Sequence, residues 1–417
     1  MEIIFIGGCF SKNVEKEISL DSKVLVQNAA NKLQWNFIKG LSNLANSKIK
    51  IISAPFIGHY PKGYKKLFIK RFEIERNENH ELIYVPFCNL WGYKNISRKN
   101  SLIKEVRNFS LDNDKIVFLY SANTPNVLVA KKIKKLNPLI HICLIIPDLP
   151  EFMNLDTKKS FLYKTFKRLD VKIFKKNLKF VDSFVLLTEK MCDYLNIKDK
   201  PFVVIEGMIN PEEIVIEDYK SNDYSQKKDV VYTGSLRTID GILNLLEAFH
   251  QIEDQNLNLI ICGRGETENK IKEYAEIDKR IHFLGQLKNE EVLEIQRNAL
   301  VLVNPRQNIG EYTKYSFPSK NMEYLLSGNP VIAYKLDGIP DEYDEYFFYP
   351  EDNSIEALRN KIIEVSKISP EERQKIGEKS RNFVLENKNP YVSAQKIMNM
   401  IQNERSKNQP CSKTKSC

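Results

Sequence analysis

Lys320 and Glu323 stand three positions apart in Phe317-Pro318-Ser319-Lys320-Asn321-Met322-Glu323-Tyr324-Leu325-Leu326-Ser327-Gly328-Asn329-Pro330-Val331-Ile332. Pro318-Ser319 predicts the start of a short helix, Gly328 its end, and the residues after Pro330 a buried strand. A lysine and a glutamate at this spacing share one helix face. A carboxylate one turn in can accept hydrogen bonds from both hydroxyls of a ribose, and an ammonium nearer the helix start suits an anion. The same spacing also fits a surface ion pair worth roughly a few tenths of a kcal/mol.

Upstream, three apolar runs each end in glycine. Val230–Thr233 leads into Gly234-Ser235-Leu236-Arg237 and then Gly241, Leu259–Cys262 into Gly263-Arg264-Gly265, and Ile281–Leu284 into Gly285. Glycine lets the main chain approach a phosphate closely, and the helix start that follows offers N–H groups to an anion. One Gly-x-Gly is a weak signal, and the full dinucleotide fingerprint is absent here. Each turn alone is also an ordinary strand–helix connection; three in succession are harder to dismiss. Arg237, Arg264, Arg306 and Lys320 are the cations this region offers to a diphosphate.

The N-terminal half carries fewer such residues. Gly7-Gly8 follows the first apolar run, where an acceptor or donor would approach or the chain simply turns. Asp148, in Pro147-Asp148-Leu149-Pro150, follows a buried run and is placed to orient an acceptor hydroxyl or take its proton, or to cap a turn. Asp112-Asn113-Asp114 has the Asp-x-Asp form of a metal site but precedes its strand, and it reads as a turn. No metal is expected. Lys158–Phe180 holds nine Lys/Arg against Asp170, with Phe166, Leu169 and Ile173 among the interleaved apolar residues. Such a helix suits an anionic membrane surface, or packs on a sheet and solvates its charges.

These residues need elements to hold them. Short apolar runs at Ile3–Ile6, Ile49–Ala54, Leu82–Val85, Ile116–Tyr120, Ile140–Ile146 and Ser183–Leu187 predict strands, with helices such as Val24–Asn46 and Asn126–Leu136 between them. A second series has strands at Asp229–Thr233, Leu257–Cys262, Ile281–Leu284, Leu300–Val303 and Pro330–Ala333. Its helices are expected near Ile242–Ile252, Glu266–Ile277, Glu290–Asn298 and Ser319–Leu326. Strand–helix alternation predicts an α/β chain of two Rossmann-like parallel-sheet domains facing a cleft, followed by C-terminal helices at Ile355–Ser366 and Pro370–Asn403. Residues 1–209 form the first domain, 210–228 a linker, 229–369 the second domain, 370–404 a helix crossing back to the first, and 405–417 a disordered tail.

Composition excludes several classes. The 417 residues are 42% hydrophobic and 28% charged, as in ordinary globular chains. No apolar run approaches the ~20 residues that span a bilayer, and Glu2 sits where a signal peptide would be basic. The seven cysteines are scattered, without Cys-x-x-Cys, which argues against a disulfide framework or a zinc site and fits a cytoplasmic protein. Residues 1–200 hold 35 Lys+Arg against 19 Asp+Glu, and residues 201–417 hold 28 against 35, so a basic half precedes an acidic one. Such a split implies different partners for the two halves.

The stretch Val230–Tyr349 resembles glycosyltransferase family 4, retaining enzymes of the two-Rossmann GT-B fold, and especially their bacterial capsule and exopolysaccharide branch. The matching pieces are Tyr232–Leu236 with Gly241, Gly263–Gly265, Phe283–Gly285, Val303–Arg306, Tyr315–Ile332 and Gly338-Ile339-Pro340. The chain departs from the family pattern at Tyr315, where the first glutamate of Glu-x7-Glu is usual, and at Ser235 and Asp240, where the diphosphate-binding arginine and lysine fall. The resemblance implies metal-free transfer from a nucleoside diphosphate sugar to a glycan or lipid-linked glycan. It places donor binding at Gly234, Ser235, Arg237, Gly263, Arg264, Gly285, Arg306, Tyr315, Ser319, Lys320 and Glu323, catalysis at Asp148 and Lys320, and the acceptor side at Gly7, Gly8 and Asp148. A sugar-nucleotide epimerase shares this fold, and a nucleic-acid-binding protein would also explain a basic half, although no nucleic-acid motif is present.

Overall fold

Strands buried on both faces read as continuous apolar runs, which marks a parallel sheet covered by helices. The computed structural model describes residues 2–45, 48–109, 112, 114–151, 161–214 and 227–408, with 161–164 and 407–408 as main chain only. The chain divides into two compact units, one of residues 1–208 with 390–417, the other Ile209–Asn389.

The first unit contains β1 (Ile3–Gly7), α1 (Lys12–Asp21), α2 (Asn28–Leu44), β2 (Ile49–Ser53), β3 (Phe68–Ile69), β4 (Glu75–Arg76), β5 (His80–Tyr84), β6 (Phe87–Cys88), α3 (Lys94–Val106), β7 (Ile116–Tyr120), α4 (Thr124–Leu136), β8 (His141–Ile146), α5 (Phe161–Asn177), β9 (Ser183–Leu186), α6 (Lys190–Leu195) and β10 (Phe202–Val204). Eight strands form one sheet in the order β10-β9-β8-β7-β1-β2-β5-β4. Its pairs are parallel except β4 against β5. β1, β7 and β8 are buried along their whole length. Strand order reverses between β1 and β7, the position where open α/β sheets bind ligands.

The second unit contains β11 (Asp229–Ser235), α7 (Ile242–His250), β12 (Asn258–Arg264), α8 (Glu268–Ile277), β13 (Ile281–Gly285), α9 (Asn289–Asn298), β14 (Val301–Asn304), α10 (Lys320–Ser327), β15 (Val331–Ala333), α11 (Ile355–Ser366) and α12 (Pro370–Asn387). Its five strands run parallel in the order β13-β12-β11-β14-β15. Tyr232, Leu246, Phe249, Ile261 and Val303 lie at the centre of its core.

The expected strands fall within two residues of those observed. The helices differ more. α2 begins at Asn28 rather than Val24, and α1 lies in a stretch for which no element was expected; Ser11 caps it by accepting from the Val14 amide. The run Pro370–Asn403, expected as a single helix, is two: α12, and α13 (Pro390–Asn408). Pro390 lacks the N–H that would continue the helical ladder, so the chain breaks there and restarts with proline in its first turn. α12 packs on α10 of its own unit, and α13 packs on α2 of the first. Most of the expected linker (215–226) and the tail from 409 onward lie outside the described residues. Among the described residues no helix is long and apolar enough to cross a membrane.

Candidate functional site

Hydrogen bonds beneath the end of β11 fix its shape. The Tyr324 hydroxyl, from α10, accepts the Thr233 amide at 2.9 Å and donates to the Thr233 carbonyl at 3.1 Å. Gln296 donates to Thr233 Oγ1 at 2.8 Å, and Tyr232 donates from its hydroxyl to the Ser235 carbonyl at 2.6 Å. These side chains are buried, where an unmade hydrogen bond costs about 1–3 kcal/mol, so the network resists rearrangement.

Above this floor opens a cavity of about 380 Å³, lined by Thr233, Gly234, Ser235, Cys262, Gly263, Gln286, Leu287, Val292, Ser319, Lys320 and Glu323. It lies past the C-terminal ends of β11 and β12, against α10. Two glycines make it possible. A β-carbon on Gly263 would stand 1.8 Å from the Gly234 carbonyl, and one on Gly234 would stand 2.4 Å from Lys320 Nζ. Both have φ near +147°, at +148° and +146°, where a side chain is strained.

Lys320 is largely buried and donates from Nζ to the Tyr232 hydroxyl at 2.9 Å. Burial, with Arg306 and Arg237 nearby, pushes its ammonium down to about 8 against the pull of Asp240 and Glu323. Glu323, one turn along, is exposed and faces the same cavity.

Ser235 and Asp240, the two positions where the family pattern has cations, are joined here. Ser235 donates from Oγ to Asp240 Oδ2 at 2.5 Å, and Arg237 grips the same carboxylate with Nε at 2.8 Å and Nη2 at 2.9 Å. Burial opposes ionisation of Asp240, but the hydrogen bonds from Arg237 and Ser235 and the charges of Arg237 and Lys320 hold it below the usual carboxylate range. Arg237, expected as an available cation, is therefore committed to a bidentate ion pair.

Of the residues expected at the donor site, the cavity gathers Gly234, Ser235, Gly263, Ser319, Lys320 and Glu323. The others lie outside its lining. Arg264 is exposed, at the end of β12, with its carbonyl accepting from the Leu236 amide at 3.0 Å. Arg306 donates to Ser316 at 2.8 Å with its guanidinium 4.8 Å from the Tyr312 ring, and its buried Nε has no partner among the described residues. Gly285 makes the turn, with φ +68°, that delivers Gln286 and Leu287 to the lining. Tyr315 ends the short 3-10 turn Glu311–Tyr315. Gln286, Leu287 and Val292 were not anticipated; the residues immediately after a strand-ending glycine were the available signal.

In the first unit Gly7 and Gly8 are buried, and the Gly8 amide donates to Gln34 Oε1 at 2.8 Å, so that N–H is already used within the fold. Asp148 follows β8 and reaches the surface, yet the protein atoms around it desolvate its carboxyl and push it up to about 6. Tyr120, ending β7, has a buried hydroxyl without a partner among the described residues; burial first, then the charges of Asp148 and Cys9, push that phenol up. Asp112 pairs with Lys115 at 3.3 Å, which also pairs with Glu2 at 3.0 Å, before the start of β7. Asn113 lies outside the described residues.

Residues 216–383 match the model of the family described as glycosyl transferases group 1. The second unit resembles a glycosyl transferases group 1 domain. The chain is 32% identical over 124 residues to D-inositol 3-phosphate glycosyltransferase of Corynebacterium glutamicum (strain R), and 29% identical over the same length to that of Corynebacterium efficiens. Each alignment covers 27% of this chain and 28% of the relative, so the chain matches about a quarter of the length of these curated relatives. Solved structures match over nearly everything. Sucrose-phosphate synthase from Thermosynechococcus elongatus gives a TM-score of 0.63 at 15% identity, covering 98% of this chain and 100% of that one. Anabaena Alr3699/HepE in complex with UDP gives 0.60 at 11% identity, covering 97% and 100%. WaaG, a glycosyltransferase involved in lipopolysaccharide biosynthesis, gives 0.58 at 16% identity, covering 96% and 99%. The fold of this glycosyltransferase-like chain is GT-B, two Rossmann-like units with C-terminal helices.

Proposed function

We propose that the chain is a retaining glycosyltransferase that moves a sugar from a nucleoside diphosphate sugar, a UDP-hexose, to a hydroxyl of a growing, lipid-linked cell-surface polysaccharide of the capsule or exopolysaccharide kind. The observation that carries this reading is the cavity at the ends of β11 and β12, with Lys320 and Glu323 on one wall. Glu323 accepts hydrogen bonds from the ribose hydroxyls. Gly234 and Gly263 let the main chain approach the diphosphate. When the bond between the sugar's anomeric carbon and the phosphate oxygen breaks, the electron pair leaves on that oxygen, and Lys320 stabilises the charge. The acceptor oxygen attacks from the face the diphosphate leaves, and its proton passes to Asp148 or to the departing phosphate. No metal is needed in this scheme, since Lys320 and the helix start at Ser319 supply the positive field.

The enzyme works in the cytoplasm, at the inner face of the cell membrane. α5 supports this: Phe166, Leu169 and Ile173 form an exposed apolar stripe at i, i+3 and i+7 beside Lys167, Arg168, Lys172 and Lys176, while Val171 and Phe174 are buried. Lys175 turns inward to the Tyr194 carbonyl at 3.1 Å.

The test is a thermal-shift screen of nucleoside diphosphates and their sugars, where a ligand at 100 times its dissociation constant stabilises by about 2.7 kcal/mol. Product analysis with and without a glycan acceptor follows, before and after chelation by EDTA. Activity restored only by magnesium or manganese would refute the metal-free scheme, and conversion of the nucleotide sugar without acceptor would replace transfer by epimerisation.

A further inference from the structure

The end of α1, the chain between β2 and α3, and the start of α3 form an exposed apolar face that neither the core nor the cavity uses. Segments 20–25, 60–68 and 87–96 lie side by side. The Lys23 amide donates to the Gly63 carbonyl at 3.0 Å and the Lys65 amide to the Asp21 carbonyl at 2.9 Å. The Tyr60 amide donates to the Asn89 carbonyl at 3.0 Å and the Asn89 amide to the Leu67 carbonyl at 2.7 Å. β3 pairs with β6 in the same layer. From this layer Leu20, Leu25, Phe68, Trp91, Tyr93 and Ile96 project into solvent, Leu25 at 89% and Trp91 at 61% exposure. Scattered single apolar residues are normal on a protein surface, whereas a contiguous group marks a contact.

The charge around the group names the contact. Of the lysines in segments 20–25, 60–70 and 87–96, Lys23, Lys62, Lys65 and Lys70 are exposed, whereas Lys94 turns inward to the Ile57 carbonyl and Lys66 is taken up by Glu17 at 3.0 Å and Asp21 at 2.7 Å. Trp and Tyr with aliphatic neighbours, ringed by lysines, fit the boundary of an anionic bilayer, where the rings sit at headgroup level and the ammonium groups meet lipid phosphates.

We propose that this face is a membrane-docking surface for anionic phospholipid, a second attachment point besides α5. The inference rests on the membrane reading above, but it is carried by different residues. Trp91 is one of two tryptophans. The other, Trp35, is tied to the Phe10 carbonyl at 2.9 Å, so Trp35→Phe leaves Trp91 as a reporter.

The experiment titrates the full-length protein with vesicles of phosphatidylcholine alone and of phosphatidylcholine with phosphatidylglycerol. Trp91 emission shifts to the blue on the anionic vesicles only. Lys23→Gln, Lys62→Gln and Lys70→Gln together weaken binding by about a hundredfold, about fivefold for each charge removed. Leu25→Ser with Trp91→Ser weakens it further, while nucleoside diphosphate binding is unchanged and shows that the variants are folded. If these variants bind as wild type and only Phe166→Ser with Ile173→Ser in α5 loses binding, this face is not a docking surface, although the membrane reading survives. If wild-type protein ignores anionic vesicles, both fall. If the variants instead turn an oligomer into a monomer with vesicle binding intact, the face joins copies of the chain and the proposal is overturned.

Discussion

The ammonium of Lys320 lies 2.9 Å from the hydroxyl of Tyr232, reached across the end of β11 where Gly234 has no side chain. That hydroxyl donates onward to the Ser235 carbonyl at 2.6 Å. The cation is thus fixed over the mouth of the strand rather than waving from the surface. A preorganised charge of this kind needs no rearrangement as the transition state forms.

On the proposed reading, Lys320 sets the alkaline limit of activity. Its ammonium titrates at about 8, so turnover falls as pH rises through 8 in a rate–pH profile. Stability of the ligand-free protein moves oppositely. The group binds a proton less readily folded than unfolded, so between about 8 and the unfolded value of 10.5 the unfolded chain holds more protons and stability rises with pH. Lys320→Ala lowers turnover more than donor affinity. Equal loss in both would make Lys320 a simple binding contact.

Asp240 tunes that limit from a distance. Its negative charge raises the Lys320 pKa. Asp240→Asn therefore moves the alkaline limb of the rate profile to lower pH, while Arg237→Gln, which removes a neighbouring cation, moves it up if the fold is retained. A limb that stays in place in both variants would show that another group controls it.

On the proposed reading, Glu323→Ala removes the acceptor for the ribose hydroxyls. Hydrogen bonds to a charged group contribute about 1.5–3 kcal/mol each, so nucleoside diphosphate affinity falls at least about tenfold by calorimetry. Wild-type protein discriminates against a 2′-deoxy nucleotide and the variant does not. Unchanged discrimination would remove Glu323 from the ribose.

Asp148→Asn leaves nucleoside diphosphate affinity intact and lowers turnover with acceptor, by about 10²-fold or more if the carboxylate is the proton acceptor. Activity of the wild type rises as pH increases through 6, where the carboxyl ionises, and this limb disappears in the variant. Persistence of the limb would assign the proton to the departing phosphate.

The strands were legible because parallel sheets demand apolar runs, and Ile116–Tyr120 is found where it was read. α1 was not, since Val14 and Ile18 are its only buried residues and, apart from the exposed Leu20, the rest of its surface is polar. Apart from β5, which was read as a strand at Leu82–Val85, the chain between β2 and α3 escaped for another reason. Side chains hold it: Arg98 donates to the Ala54 carbonyl at 2.7 Å and Asn89 to the Gly58 carbonyl at 2.8 Å, contacts that leave no periodic trace. At the cavity, Lys320 and Glu323 could be paired from their spacing. The commitment of Arg237 to Asp240 could not, because three residues' separation on a turn leaves open whether the arginine faces the carboxylate or the ligand.

The return of α13 to α2 has a consequence for biosynthesis. The first unit comprises residues 1–208 and 390–417, with the second inserted between them. Its amino-terminal part leaves the ribosome early but must wait for the whole of the second to be translated before the helix that covers α2 arrives. Until then the face of α2 around Gly40, against which Pro390 and Ala394 of α13 pack, lacks that cover. The nascent chain therefore leaves that face of α2 uncovered for the time it takes to make residues 209–389, about 10–40 s at roughly 5–20 residues per second, and a ribosome stalled in the second unit leaves the first unfinished.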